Sequence, residues 1–234
     1  MNKNQKVVYE LCLKNNWNYE KLEKYVELIE EKNKVMNLTG FSGDKLWGDG
    51  ILESLNFMKT VINDQNHIKF LDIGSGVGFP SLPYFIANPN FELDIFEPLQ
   101  KRVNFLNLVK ETLNLKNINI YKKRMEEEKN KNIYDIVSAR AVADVQTMLL
   151  AGFHLVKLNG TMILLKSKNI KKEIQEASFP LNKLKAEIWI KELISANIDR
   201  DNKILFIKKL RSTPANFPYP WKEIIKIKKH QKLH

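Results

Sequence analysis

Cysteine is almost missing from this chain. Among 234 residues there is one, Cys12, so no internal disulfide can form. Long apolar runs are missing too. No stretch reaches eighteen apolar residues, and the polar start from Met1 to Lys6 has no apolar segment behind it, so neither a membrane span nor a secretory leader is expected. Together these absences lead us to expect a soluble cytoplasmic protein with no membrane partner. No cluster of His, Cys and Asp shows zinc-ligand spacing, which argues against a metal. No internal repeat is visible. Arginine is scarce: of 38 basic residues only Arg102, Arg124, Arg140, Arg200 and Arg211 are Arg. Each of them therefore draws notice, because a guanidinium makes bidentate contacts that an ammonium cannot.

What the chain has in excess is positive charge, a formal +11. Such a balance suggests a polyanionic partner, nucleic acid first among them, although a lysine-rich solvated surface has the same composition. A hydrophobic content of 44% is ordinary for a folded domain. Three parts are distinguishable. Residues 1–62 read as a helical extension, with Leu22, Val26 and Ile29, then Leu52, Leu55 and Met58, at helical spacing. Asn37 and Gly40 mark a stop between them. Residues 63–212 alternate short apolar runs with helical stretches, the pattern of a parallel sheet. Strands are expected at Ile68–Ile73, Glu92–Phe96, Ile118–Tyr121, Ile133–Ser138 and Thr161–Leu165. Helices are expected near Ser81–Ala87, Gln100–Leu113 and Val145–Val156, and an antiparallel edge pair at Leu184–Leu193 and Lys203–Leu210. Residues 213–234 form a basic tail with Lys222, Lys226, Lys228, Lys229 and Lys232. The expected fold is α/β, a Rossmann-like sheet of seven mostly parallel strands of the methyltransferase type.

The first strand ends in Asp72-Ile73-Gly74-Ser75-Gly76-Val77-Gly78-Phe79-Pro80. Glycines spaced two apart form a tight turn that lets a ligand approach the backbone. The spacing is not the G-x-G-x-x-G of dinucleotide sites, which favours S-adenosylmethionine, a cofactor with no pyrophosphate to seat. Gly74, Gly76 and Gly78 are thus candidate cofactor contacts. Glu97 closes the second strand about twenty residues on, where a carboxylate bonds ribose hydroxyls; the alternative is a solvated helix cap. Asp72 is expected to order the glycine turn through backbone N–H groups. The loop Lys123-Arg124-Met125-Glu126 follows the third strand, placing Met125 and Glu126 beside an adenine unless they form only a charged turn. Arg140 follows the fourth strand and faces the ligand crevice; a helix cap, or a carboxylate partner such as Glu97 or Glu126, is its other reading.

Two chemistries are excluded. Pyrimidine C5 methylation needs a cysteine near the fourth strand, and Cys12 is far from it. Methylation of exocyclic amino groups carries an N/D-P-P-Y/F run at that strand end, absent here; Asn216-Phe217-Pro218-Tyr219 lies in the tail and reads as a turn.

These residues resemble a known family. The glycine turn with Phe79-Pro80, the Lys101-Arg102…Phe105-Leu106 helix, Ser138-Ala139-Arg140-Ala141-Val142-Ala143, Leu165-Lys166 and the earlier Asn37-Leu38-Thr39 are similar to bacterial 16S ribosomal RNA guanine-N7 methyltransferases, also called RsmG or glucose-inhibited division protein B. The resemblance runs from about Met36 to Ser167. It implies a target guanine in the 530 loop of small-subunit rRNA, S-adenosylmethionine as cofactor, and cofactor contacts at Gly74, Phe79, Met125, Glu126 and Arg140. Departures are visible: Gly50-Ile51-Leu52-Glu53-Ser54-Leu55 stands where the family has a His and Asp-Ser-Leu. Ser81 stands where it has Gly, and Tyr219-Pro220-Trp221 where it is rich in Pro and Arg. Guanine N7 carries no proton, so its methylation needs no general base. Arg140 and Lys166 are the residues expected to fix base or cofactor. The tail and the Lys166, Lys168, Lys171, Lys172 group would meet phosphates, and the protein is expected to act as a monomer on 16S rRNA or the small ribosomal subunit. Two other readings are a methyltransferase of this fold acting on another RNA, a protein or a small molecule, and a non-catalytic nucleic-acid-binding protein. A dinucleotide enzyme is a weaker third, disfavoured by the glycine spacing.

Overall fold

A computed structural model describes residues 1–62, 67–193 and 202–231. Arg200, Lys232 and the residues just after the expected boundary at 62 lie outside the described residues. The extension folds as α1 (Lys3–Asn15), α2 (Tyr19–Met36), a single turn α3 (Gly43–Lys45), a π-helical segment Leu46–Leu52 and α4 (Glu53–Ile62). Asparagine does much of the punctuation. Asn2 and Asn18 accept backbone N–H bonds at the starts of α1 and α2, while Asn16 and Asn37 end them in the left-handed conformation. The Asn33 side chain then holds the Asn37-Leu38-Thr39 corner, accepting from Leu38 N and Thr39 N and donating to Thr39 O.

The sheet follows: β1 (Lys69–Ile73), α5 (Ser81–Ala87), β2 (Glu92–Phe96), α6 (Gln100–Thr112), β3 (Ile118–Tyr121), β4 (Tyr134–Arg140), α7 (Val145–Gly152), β5 (Val156–Lys166), α8 (Ile170–Glu176), α9 (Ser178–Leu184), β6 (Glu187–Glu192), β7 (Lys203–Lys208) and α10 (Trp221–Gln231). Strand order is β3-β2-β1-β4-β5-β7-β6, parallel except that β7 runs antiparallel to β5 and β6. Side chains alternate between the two faces of each strand. Phe70 and Ile136 join the cluster shared with the extension, whereas Leu71, Ile73 and Val137 join the one formed with α7. The extension thus shares a core with one face of the sheet.

Two local outcomes differ from the sequence reading. The helix expected over Val145–Val156 stops at Gly152, a 3-10 turn covers Phe153–Leu155, and β5 begins five residues before Thr161. A Cβ on Gly152 would lie 2.9 Å from Met125 Sδ, so a tertiary contact selects glycine at the helix end. The basic tail also holds α10, whose Ile224 and Ile227 pack on the α7 cluster. The segment read as a turn anchors it, with Phe217 and Tyr219 buried and Tyr219 N donating to Leu150 O at 2.9 Å.

Candidate active site

Strand order reverses between β1 and β4, and the crevice beyond their carboxyl ends is where open α/β sheets take ligands. The glycine turn closes one side. Gly78 N and Phe79 N both donate to Ser75 O at 2.9 Å, and Tyr25 of α2 donates its hydroxyl to Val77 O at 2.7 Å. Gly74 (φ +65°) and Gly78 (φ +119°) have conformations that side chains resist; a Cβ would also meet Val142 at 2.7 Å and Leu82 at 2.6 Å respectively.

Glu97 is 1% exposed at the head of this crevice. Its Oε2 accepts from Gly76 N and its Oε1 from Leu99 N, both at 3.0 Å, and Arg102 Nη1 lies 3.8 Å from Oε2. The glycine turn is therefore tied by Glu97 rather than by Asp72. Asp72 instead accepts from Ser81 N (3.2 Å) and Ser81 Oγ (2.6 Å) at the start of α5, and from Ser138 Oγ (3.1 Å). Ser81, the departure from family glycine, thus gains a partner for its hydroxyl.

Burial pushes the Asp72 carboxyl up to about 7, with the Ser81 and Ser138 donors and Arg140 pulling partly back. An acid raised in the folded chain stays protonated there while the unfolded chain ionises. Stability should therefore fall as pH rises from about 4 to 7 and then level. Melting temperatures of parent and Asp72→Asn across that range test this: the parent should lose ground to the variant by roughly ten degrees, about what 3–4 kcal/mol produces in a chain of this size. A constant gap counts against it.

A cavity of ≈ 340 Å³ opens beside Gly74 and Glu97, walled by Ile73, Phe96, Leu99, Met125, Val142 and Trp221, with Arg102, Arg124 and Glu126 on its polar side. Apolar walls with one buried carboxylate, at this volume, fit an adenosine-sized ligand. Of the expected cofactor residues Gly74, Glu97, Met125 and Glu126 line it. Gly76 bonds Glu97 from behind, while Gly78, Phe79 and Arg140 are not among its lining residues.

Arg140 turns the other way for a geometric reason. It shares strand parity with Ile136 and Ser138, so it emerges on the face covered by the extension. There Nη2 donates to Asp49 O (3.0 Å) and pairs with buried Glu53 Oε1 (3.1 Å). The guanidinium carbon lies 5.8 and 5.7 Å from the ring centres of Phe41 and Phe79. Its carboxylate partner is thus Glu53, not Glu97 or Glu126. The next residue, Ala141, has φ +55°, a strain of about 1–2 kcal/mol for a residue with a Cβ. Lys166 leaves β5 toward the opposite face and donates to Ala143 O (2.6 Å) and Glu173 Oε2 (2.8 Å).

Arg140 and Lys166 meet at a second cavity of ≈ 520 Å³, which also takes in Phe41, Glu53, Glu173 and Asn202. Ala141, Val142 and Ala143 wall both cavities. Sequence reasoning did not single out Phe41, Glu173, Asn202 or the contribution of Trp221. Glu53 it registered only as a departure. Gly50 stands where the family has His, and a Cβ there would lie 2.8 Å from Phe79 Cζ. Among the described residues no group of His, Cys, Asp and Glu is placed to hold a metal, and no helix is long and apolar enough to cross a membrane.

This sheet is that of the Rossmann-like S-adenosylmethionine-dependent methyltransferases. A structure described as a SAM dependent methyltransferase from Aquifex aeolicus superimposes with a TM-score of 0.52 at 16% identity, covering 68% of this chain and 92% of that one, a likeness of fold. A model of the GidB family, rRNA small subunit methyltransferase G, matches residues 18–198. Ribosomal RNA small subunit methyltransferase G of Mycoplasmopsis pulmonis is 34% identical over 209 residues, covering 88% of this chain and 91% of the relative. Its namesake in Mycoplasma mobile is 38% identical over 195 residues, covering 80% and 85%. The chain belongs to the rRNA small subunit methyltransferase G family and is a methyltransferase that uses S-adenosylmethionine.

Proposed function

We propose that this protein transfers the methyl group of S-adenosylmethionine to N7 of a guanine in the 530 loop of 16S rRNA, in the small ribosomal subunit. The observation that carries the reading is the pair of cavities sharing the Ala141–Ala143 wall, one suited to the cofactor and one to a base presented beside it. Bound in the first cavity, the cofactor supplies an electrophilic methyl on a sulfonium. Glu97 would hold its ribose, with Met125 and Glu126 beside its adenine and Gly74 allowing close approach at the turn.

In the second cavity the Phe41 ring offers a surface for a purine to stack on. Arg140 would fix that ring through its cation–π contact, and Lys166 would hold the shared wall through Ala143 O. N7 attack places positive charge on the guanine as the sulfonium loses its own. The carboxylates of Glu53 and Glu173 lie where they can stabilise that charge. No side chain has to remove a proton, because N7 has none. Catalysis is then positioning and electrostatics.

Small subunits lacking the modification, incubated with cofactor and the protein, should gain one 7-methylguanosine within the 530 loop, seen by nuclease digestion and mass spectrometry. A methyl group on another atom or another RNA overturns the reading.

A further inference from the structure

We propose that Trp221, the first residue of α10, is a cofactor-binding residue: its indole packs against bound S-adenosylmethionine and covers the cavity. Three large apolar side chains that line this cavity are left bare to water, Leu99 at 47%, Val142 at 38% and Trp221 at 44% exposure. They come from three separate elements and converge on one opening. Contiguous exposed apolar surface at a cavity mouth is what a ligand covers. Among the described residues the indole has no aromatic ring against it and its N–H makes no hydrogen bond, so the fold itself gives this large ring little reason to be there.

The helix that carries it is well placed. Ile224 is buried and Ile227 packs on the α7 cluster, so the ring is held near the cavity at small conformational cost. Lys228 pairs with the Asp144 carboxylate, which also caps α7 by accepting from Thr147 N. Asp144 directly follows the Ala141–Ala143 wall, so α10 is fastened to the same loop that separates the two cavities. Trp221 also lines a separate gap of ≈ 190 Å³ with Thr147, Ile224, Ile225 and Lys228, so the indole has room to adjust. An adenosine-bearing ligand presents the flat, polarisable face that such a ring stacks on.

This assignment depends on the cofactor and not on the guanine reading, so it stands or falls separately from the 530-loop experiment. Calorimetric titration of the whole protein with S-adenosylmethionine and with S-adenosylhomocysteine tests it. Trp221→Ala should weaken both by about tenfold, and Trp221→Phe, which keeps a ring, by less than threefold. Melting temperatures of the ligand-free variants should match the parent, which separates loss of contact from loss of fold. Trp17, Trp47 and Trp189 sit away from the cavity, so cofactor-induced quenching of tryptophan fluorescence should vanish in Trp221→Phe. Unchanged affinity in Trp221→Ala overturns the proposal. So does a weakening confined to small-subunit binding, which would make the indole a platform for an RNA base.

Discussion

Arg140→Ala is expected to lower stability by about 3–5 kcal/mol, the range for removing one partner of a buried ion pair. The guanidinium is the positive charge facing buried Glu53, and it bridges to the Asp49 carbonyl of the π-helical segment. It also lies against Phe41 and Phe79, so truncation leaves a void among aromatic rings. Much of the cost comes from the buried carboxylate that loses its guanidinium while keeping the Asn202 amide as a donor. Adding Glu53→Gln to Arg140→Ala should therefore recover about 1–3 kcal/mol in urea melts, roughly the penalty of a buried charge that has lost its guanidinium. Methyl transfer to small subunits should not recover with it. Without Arg140 the Phe41 ring and the Ala141–Ala143 wall lose their tie to each other, and turnover should drop by about 100-fold, the scale of a small misplacement in a reaction governed by positioning. Near-parental turnover in the single variant, measured at a temperature where it is folded, counts against this role.

The parity of Arg140 shows how much of the site could be read in advance. Strand limits for β1 to β3 are close to those expected because each is a short run with clear borders: β1 runs into Gly74, β2 into Glu97-Pro98, and β3 follows Asn117 and stops at Lys122-Lys123. Membership of the crevice follows from strand order. The direction of Arg140 was also present in the sequence, since Ile136, Ser138 and Arg140 alternate with Val137 and Ala139. Parity tells which face a residue leaves from, but not what covers that face. Only the packing of the extension brings Glu53 to the guanidinium across 87 residues of chain. Phe41 is likewise an isolated aromatic in a polar stretch, and nothing local marks it.

Helices α8 and α9 have seven residues each, too short to show a repeating apolar face. The signal for α10 was there, in Ile224 and Ile227 three apart among lysines, but charge density made it read as a tail. Glu97 took up the turn-ordering expected of Asp72 for a simple reason. Asp72 sits on the face toward α5, so its carboxylate reaches Ser81, whereas Glu97 lies one residue past β2 and can reach the neighbouring turn.

Glu97→Gln should weaken S-adenosylmethionine about 100-fold in calorimetric titrations. A carboxylate has about four acceptor sites. Gly76 N and Leu99 N occupy two, one on each oxygen, leaving one more on each oxygen for a pair of adjacent ribose hydroxyls. The glutamine amide keeps the shape but has one oxygen. Its NH2 group then faces a backbone N–H, donor against donor, and cannot accept from a hydroxyl. Losing one bond to a charged acceptor, at about 1.5–3 kcal/mol, and leaving the other on a neutral oxygen accounts for that affinity change. The backbone N–H left without a partner adds a stability loss of about 1–3 kcal/mol without ligand. The two effects are separable by changing the ligand. Against the parent, S-adenosylhomocysteine lacking its ribose hydroxyls should bind far more weakly than the intact molecule. Against Glu97→Gln the difference should shrink by about tenfold or more, because one acceptor for those hydroxyls is gone and the other is neutral. If the hydroxyls matter equally to both proteins, Glu97 serves only to tie Gly76 into the turn, and the ribose is held elsewhere.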